Sequence, residues 1–134
     1  MPLFFWKRSY ETGIPEIDYD HRQLVGIINE LYEAMKTGQG CEVIDRTIDR
    51  LLEYSRRHFA NEEGFMRACA YPDTAGHEQS HREMTERIVA MDAQRRAGGS
   101  VPSPEMLTFL RDWLCTHIAI DDKKLGEFLR HAPR

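Results

Sequence analysis

Four stretches of the chain repeat apolar residues every three or four positions, and each of the four stripes carries at least one histidine. Counting from His21, the first stripe is Leu24, Val25, Ile28, Leu31 and Met35. The second is Ile44, Ile48, Leu51, Leu52, Ser55, His58, Phe59, Glu62, Phe65 and Met66. The third holds His77, His81, Met84, Ile88 and Met91, and the fourth Met106, Leu110, Trp113, Leu114 and His117. Apolar residues at this spacing form one face of a helix. The pattern predicts helices over 18–37, 41–69, 73–97 and 103–121, and a short fifth over 123–130. Asp18 is placed to cap the first, and Gly38 and Gly40 to end it. Tyr71-Pro72-Asp73 breaks the second, and Gly98-Gly99-Ser100 closes the third. Ser103-Pro104 opens the fourth as a cap followed by proline at the first helical position.

Strand signals are nearly absent. Long helices joined by short loops make an all-α, up-down-up-down four-helix bundle the expected fold. Residues 1–17, with Trp6, Gly13 and Pro15, do not fit the stripes and are expected to lie over the bundle as an N-terminal arm. The 134 residues suffice for one domain with one core.

Composition removes several classes of function. Apolar residues make up 41% and charged residues 30%, a globular balance, and the formal net charge of −4 lacks the basic excess of a nucleic-acid binder. No apolar run approaches the roughly 20 residues that span a bilayer. The start, MPLFFWKRSYETG, has its basic residues after a short apolar patch, the wrong order for a secretory signal, so a cytoplasmic location is expected. Cys41, Cys69 and Cys115 are odd in number and form no C-x-x-C pair. They are expected to pack as small apolar groups rather than to bind metal or form disulfides.

The histidines need a stronger explanation. Only His131, in the tail, lies off the stripes. A lone histidine on a core face usually has a nearby hydrogen-bond partner. Five of them over four helices would bury polar nitrogens where an apolar core offers few partners, and a metal centre satisfies them together. Glu62 follows His58 by four residues, on the same side of its helix. Beyond His117, Asp121 lies about 40° round an ideal helix and Asp122 about 140°, so helix geometry favours Asp121. Five histidines and two carboxylates exceed the four ligands of a zinc ion and suit two metals bridged by carboxylates. Imidazole without thiolate fits iron, though softness alone does not exclude zinc, copper or nickel.

His77-Glu78-Gln79-Ser80-His81 also matches the H-E-x-x-H pattern of zinc peptidases. Glu78 points off the face its histidines share. The metzincin extension would need glycine and histidine where Met84 and Arg87 stand. A ferritin-like di-iron oxidase would need two E-x-x-H motifs, and only Glu78-Gln79-Ser80-His81 supplies one.

The ordered set His21, His58-x-x-x-Glu62, His77-x-x-x-His81 and His117-x-x-x-x-Asp122 resembles hemerythrin, and within that family the single-domain bacterial form, bacteriohemerythrin. Further matches are Trp6, Gly13-Ile14, Ile17-Asp18 before His21, Phe59, Glu63, Met66, Tyr71-Pro72 and Trp113-Leu114. The resemblance implies two iron ions sharing an oxo or hydroxo bridge. His77, His81 and His117 would hold one, His21 and His58 the other, and Glu62 and Asp122 would bridge them. It favours Asp122 over Asp121, which remains the alternative on helix angle. Dioxygen would bind at the open position of the second iron, in a small apolar pocket for which Leu114, Val25, Ile118 and Trp113 are the candidate lining. A monomeric dioxygen-binding protein is implied, for carriage, storage or supply to an oxygen-consuming partner, rather than an enzyme. The competing functions are a di-iron oxidase, a peroxide- or nitric-oxide-consuming enzyme, and an oxygen or redox sensor.

Overall fold

A computed structural model describes residues 4–38, 41–98 and 104–131. It contains helices α1 (Pro15–Lys36), α2 (Cys41–Ala68), α3 (Thr74–Arg96) and α4 (Pro104–Thr116). A π-helical segment, His117–Asp122, joins α4 to α5 (Lys123–His131) without a break. The fold is the four-helix bundle expected from the stripes. No helix of the described residues is long and apolar enough to cross a membrane.

The ends of the elements differ from expectation in ways that have local causes. α1 begins at Pro15, with proline in the first turn, rather than at Asp18. Proline already holds a helical φ and has no N–H to leave unpaired there. Asp18 is therefore one turn inside the helix and buried, and it caps the arm instead. Its Oδ1 accepts from Thr12 N and Thr12 Oγ1, both at 2.8 Å, and its Oδ2 from Gly13 N at 3.3 Å. The break after α2 comes from the backbone before the proline. Ala70 takes a φ of 53°, and Tyr71 N donates to Met66 O at 2.9 Å, which turns the chain out of the helix. Gly38, at φ 69°, ends α1 in the same hand. The expected caps and stops at Gly40, Gly99, Ser100 and Ser103 lie outside the described residues.

The arm carries a single 3-10 turn, Arg8–Tyr10, and lies on the bundle as expected. Phe4 and Tyr10 are buried, and their rings meet edge to face at 5.9 Å. Asn29 of α1 fixes Phe4 by accepting from its N–H and donating to its carbonyl. At the other end of the arm, Thr12 presses on α5. A Cβ on Gly126 would meet the Thr12 carbonyl oxygen at 2.7 Å, so only glycine fits there.

The stripes are buried almost as read. Leu24, Ile28, Leu31, Ile48, Leu51, Met84, Ile88, Met91, Leu110 and Leu114 form one large apolar cluster. A smaller one, Ile17, Met66 and Leu125, lies toward the other end of the bundle. Phe65, read as part of the second stripe, is 36% exposed. On three of the stripes the histidines fall between the two clusters in sequence: His21 between Ile17 and Leu24, His58 between Leu51 and Met66, and His117 between Leu114 and Leu125.

Candidate metal centre

Each helix contributes the groups that its own periodicity brings to the core. α1 supplies His21, α2 His58 and Glu62, α3 His77 and His81, and the π segment His117 and Asp122. All seven side chains are buried, with Glu62 and Asp122 fully so. Their ligating atoms fall into two groups that share both carboxylates: Glu62, His77, His81, His117 and Asp122, and His21, His58, Glu62 and Asp122.

The oxygens of each carboxylate are divided between the groups. Glu62 Oε1 is 3.1 Å from His77 Nε2 and 2.9 Å from His81 Nε2, while Glu62 Oε2 is 3.1 Å from His58 Nε2 and 3.5 Å from His21 Nε2. Asp122 Oδ1 is 2.9 Å from His77 Nε2 and 3.1 Å from His117 Nε2, while Asp122 Oδ2 is 2.8 Å from His21 Nε2. Donors about 2.1 Å from a common cation stand about 3.0 Å apart at neighbouring corners of an octahedron and about 4.2 Å apart at opposite ones. In the three-histidine group the close pairs have the first spacing. The His117 Nε2–Glu62 Oε1 pair, at 3.9 Å, approaches the second.

These atoms converge without satisfying one another. His81 Nε2 and His117 Nε2 stand 3.1 Å apart, nitrogen against nitrogen. His21 Nδ1 and Nε2, His58 Nε2, Glu62 Oε2 and both Asp122 oxygens are buried without a hydrogen-bond partner. Buried polar atoms in that condition are costly, and a cation in each group would be bound by these lone pairs. The donor set therefore fits a pair of metal ions.

Electrostatics point the same way. Burial opposes charge on His58, but the nearby Glu62 carboxylate and the hydrogen bond to Asp20 outweigh it and push the imidazole up to about 10. His77 is pushed up to about 9, its burial overcome by Asp122 and Glu62. Burial would raise Glu62, yet His58 and the other imidazoles hold it well below the usual carboxylate range. Asp122 is lowered by His117 and His21 against both burial and the nearby Glu62. The pocket attracts positive charge, whether protons or metal ions.

The π segment brings Asp122 rather than Asp121 into the cluster. Its wider turn, bonded i to i+5, returns Asp122 to the side of His117. Asp121, which an ideal α-helix favours, lies outside the cluster and pairs through Oδ2 with His117 Nδ1 at 3.0 Å. Glu78 faces away from both groups and pairs with Arg67 at 3.1 Å. Cys69 and Cys115 are free and half-buried; Cys115 Sγ lies 3.2 Å from Tyr10 Oη in the arm, away from the histidines.

Leu114, Val25 and Ile118 are buried in the large apolar cluster. Trp113 is half-buried and stacks on His117, with ring centroids 4.6 Å apart. Phe59, a residue of the second stripe, stacks on His81 with ring centroids 4.1 Å apart. The sequence reading missed the outer partners of the imidazoles. Asp20 lies 2.9 Å from His58 Nδ1, Glu63 2.9 Å from His81 Nδ1, and Ser80 3.2 Å from His117 Nδ1. Asp20 and Glu63 sit beside His21 and Glu62 in the chain but serve histidines on other helices. Same-helix spacing gives no signal for such pairs.

Residues 12–129 match the family model of the hemerythrin HHE cation-binding domain. The chain belongs to the hemerythrin family. It is 33% identical to a bacteriohemerythrin of Stenotrophomonas maltophilia over 95% of this chain and 82% of that one. A bacteriohemerythrin of Methylococcus capsulatus is 29% identical over 96% and 98%, and myohemerythrin-1 of Phascolopsis gouldii 24% over 90% of each. Among solved structures, wild-type hemerythrin superposes with a TM-score of 0.86 at 27% identity, covering 95% of this chain and 98% of that one. A leucine-to-alanine mutant of hemerythrin gives 0.88 over 96% and 98%. Membership of this family implies iron binding and an association with dioxygen.

Proposed function

We propose that the chain binds dioxygen reversibly at two iron ions, for carriage, storage or supply to an oxygen-consuming partner. His77, His81 and His117 would hold one ion and His21 and His58 the other, with Glu62 and Asp122 bridging. The observation that carries this reading is the division of both carboxylates, one oxygen of each toward each histidine group. Bound iron would supply the electrons that dioxygen takes up on binding and returns on release. The protein's part is to hold that chemistry in check. Five imidazoles against two carboxylates make a nitrogen-rich donor set, unlike the carboxylate-rich sites of the ferritin-like oxidases. Leu114, Val25 and Ile118, buried in the apolar cluster, would shield the centre from water, and Trp113 and Phe59 stack on the rings of His117 and His81. A site built this way binds and releases rather than turns over.

The test is anaerobic loading of the metal-free protein with ferrous iron, then oxygen exposure, with iron counted per chain. Two irons and a visible charge-transfer band that appears with oxygen and disappears on its removal are expected. Two irons that oxidise at once and do not return would replace oxygen carriage with an oxidase or sensor role. One iron or none would end the di-iron reading.

A further inference from the structure

The outer ring of hydrogen bonds is unequal between the two metal groups. In the three-histidine group two imidazoles are anchored through Nδ1: His81 by Glu63 at 2.9 Å, and His117 by Asp121 at 3.0 Å and Ser80 at 3.2 Å. In the two-histidine group only His58 is anchored, because His21 Nδ1 is buried with no partner. The anchor of His58 is itself held. Tyr54 Oη donates to Asp20 Oδ1 at 2.9 Å, and Asp20 Oδ2 faces His58 Nδ1 at 2.9 Å. Tyr54 lies one turn before His58 on α2, Asp20 reaches across from α1, and the Arg57 guanidinium covers the Tyr54 ring, 4.9 Å from its centroid. The half-buried Tyr54 and Asp20 thus form a hydrogen-bonded path from the bundle surface to His58 Nδ1, on the opposite side of the ring from Nε2, which is 3.1 Å from Glu62 Oε2.

An imidazole that donates Nδ1–H to a carboxylate keeps its lone pair on Nε2 and its ring in one orientation, as a metal ligand requires. We infer that Asp20, held by Tyr54, is the positioning residue on which the His21–His58 metal position depends, making that position the more easily emptied of the two. The inference rests on the two-metal reading proposed above. Loss of Asp20 leaves its group with no anchored histidine. Loss of Glu63 leaves the other group with His117 still fixed.

The experiment is titration of the metal-free protein with cobalt(II), read by visible absorption and by equilibrium dialysis. The unaltered chain is expected to take up two ions. Asp20→Ala should weaken one of them by about 10- to 100-fold and leave the other unchanged, the usual effect of losing such a partner. The weakened ion should be the one abolished by His21→Ala, so that the double variant loses no more than His21→Ala alone. Asp20→Asn, which keeps an acceptor oxygen, should restore most of the affinity. Glu63→Ala should weaken its own ion less than Asp20→Ala weakens its own. Tyr54→Phe, which keeps the ring and removes only the hydroxyl, should fall between the unaltered chain and Asp20→Ala; it serves as the deciding variant if Asp20→Ala does not fold. Two ions of unaltered affinity in Asp20→Ala, or in Tyr54→Phe where that decides, would overturn the inference alone. So would an equal or larger loss in Glu63→Ala. Fewer than two ions in the unaltered chain would overturn the two-metal reading and the inference with it.

Discussion

From Leu24 to Leu31, α1 buries leucine, valine and isoleucine against like side chains of the other helices. One turn earlier, the same face buries His21, both of whose nitrogens lack a hydrogen-bond partner. The contrast repeats on every helix: Leu51 before His58 and Glu62, Met84 after His81, Leu114 before His117. The apolar region is satisfied by the protein alone, since burying such side chains is favourable wherever they pack. The polar region is satisfied only by something the chain does not encode, a cation or a set of protons. One region of the bundle is therefore built for stability, while the histidine layer is built for occupancy.

Removing metal should separate the two regions most strongly. A ligand present at 1,000 times its Kd stabilises the folded state by about 4 kcal/mol. Chelation of the loaded protein is expected to lower the thermal midpoint by a corresponding amount and leave a helical, folded bundle; an unchanged midpoint would mean that the polar region does not depend on occupancy. Truncating the apolar region should act in both forms alike. Leu31→Ala, at a position with no exposed surface, should cost about 2–5 kcal/mol in denaturant unfolding. The loss should be similar with and without metal, at unaltered metal stoichiometry.

Acidity tests the polar region in its metal-free state. His58 and His77 are raised from an ordinary 6.5 to about 10 and about 9. A raised imidazole contributes stability that is fully present below 6.5 and is lost as pH rises through its folded value. The metal-free protein should therefore lose stability between pH 6.5 and 10, by thermal unfolding across that range. Metal affinity should move oppositely, increasing with pH as protons leave the nitrogens. Parallel trends in the two series would break the comparison.

Both kinds of effect are expected together where the regions meet. Leu114 is one turn before His117 and belongs to the apolar cluster. Leu114→Ala should cost stability as a core truncation does and also hasten the loss of reversible oxygen response over repeated cycles. A purely structural Leu114 would change the first and not the second.

The bundle was legible in the sequence because helical periodicity is a property of each segment alone. His21, His58, Glu62, His77, His81 and His117 were legible for the same reason, each lying on its own helix's buried face. Asp122 was not readable from spacing, since an ideal helix turns it away and only the π segment brings it round. The family resemblance placed it where periodicity did not. Asp18, Asp20 and Glu63 were hidden differently. Their partners, Thr12, His58 and His81, lie on other elements, and no intra-helical spacing encodes a contact across the bundle.

The measurement that tests the central claim most directly is a crystal structure of the iron-loaded protein, with anomalous scattering recorded at the iron edge. Two peaks are predicted, one among His77, His81 and His117 and one beside His21 and His58, with an oxygen of both Glu62 and Asp122 bound to each. A single peak, or two peaks with Asp121 in place of Asp122, would contradict the account.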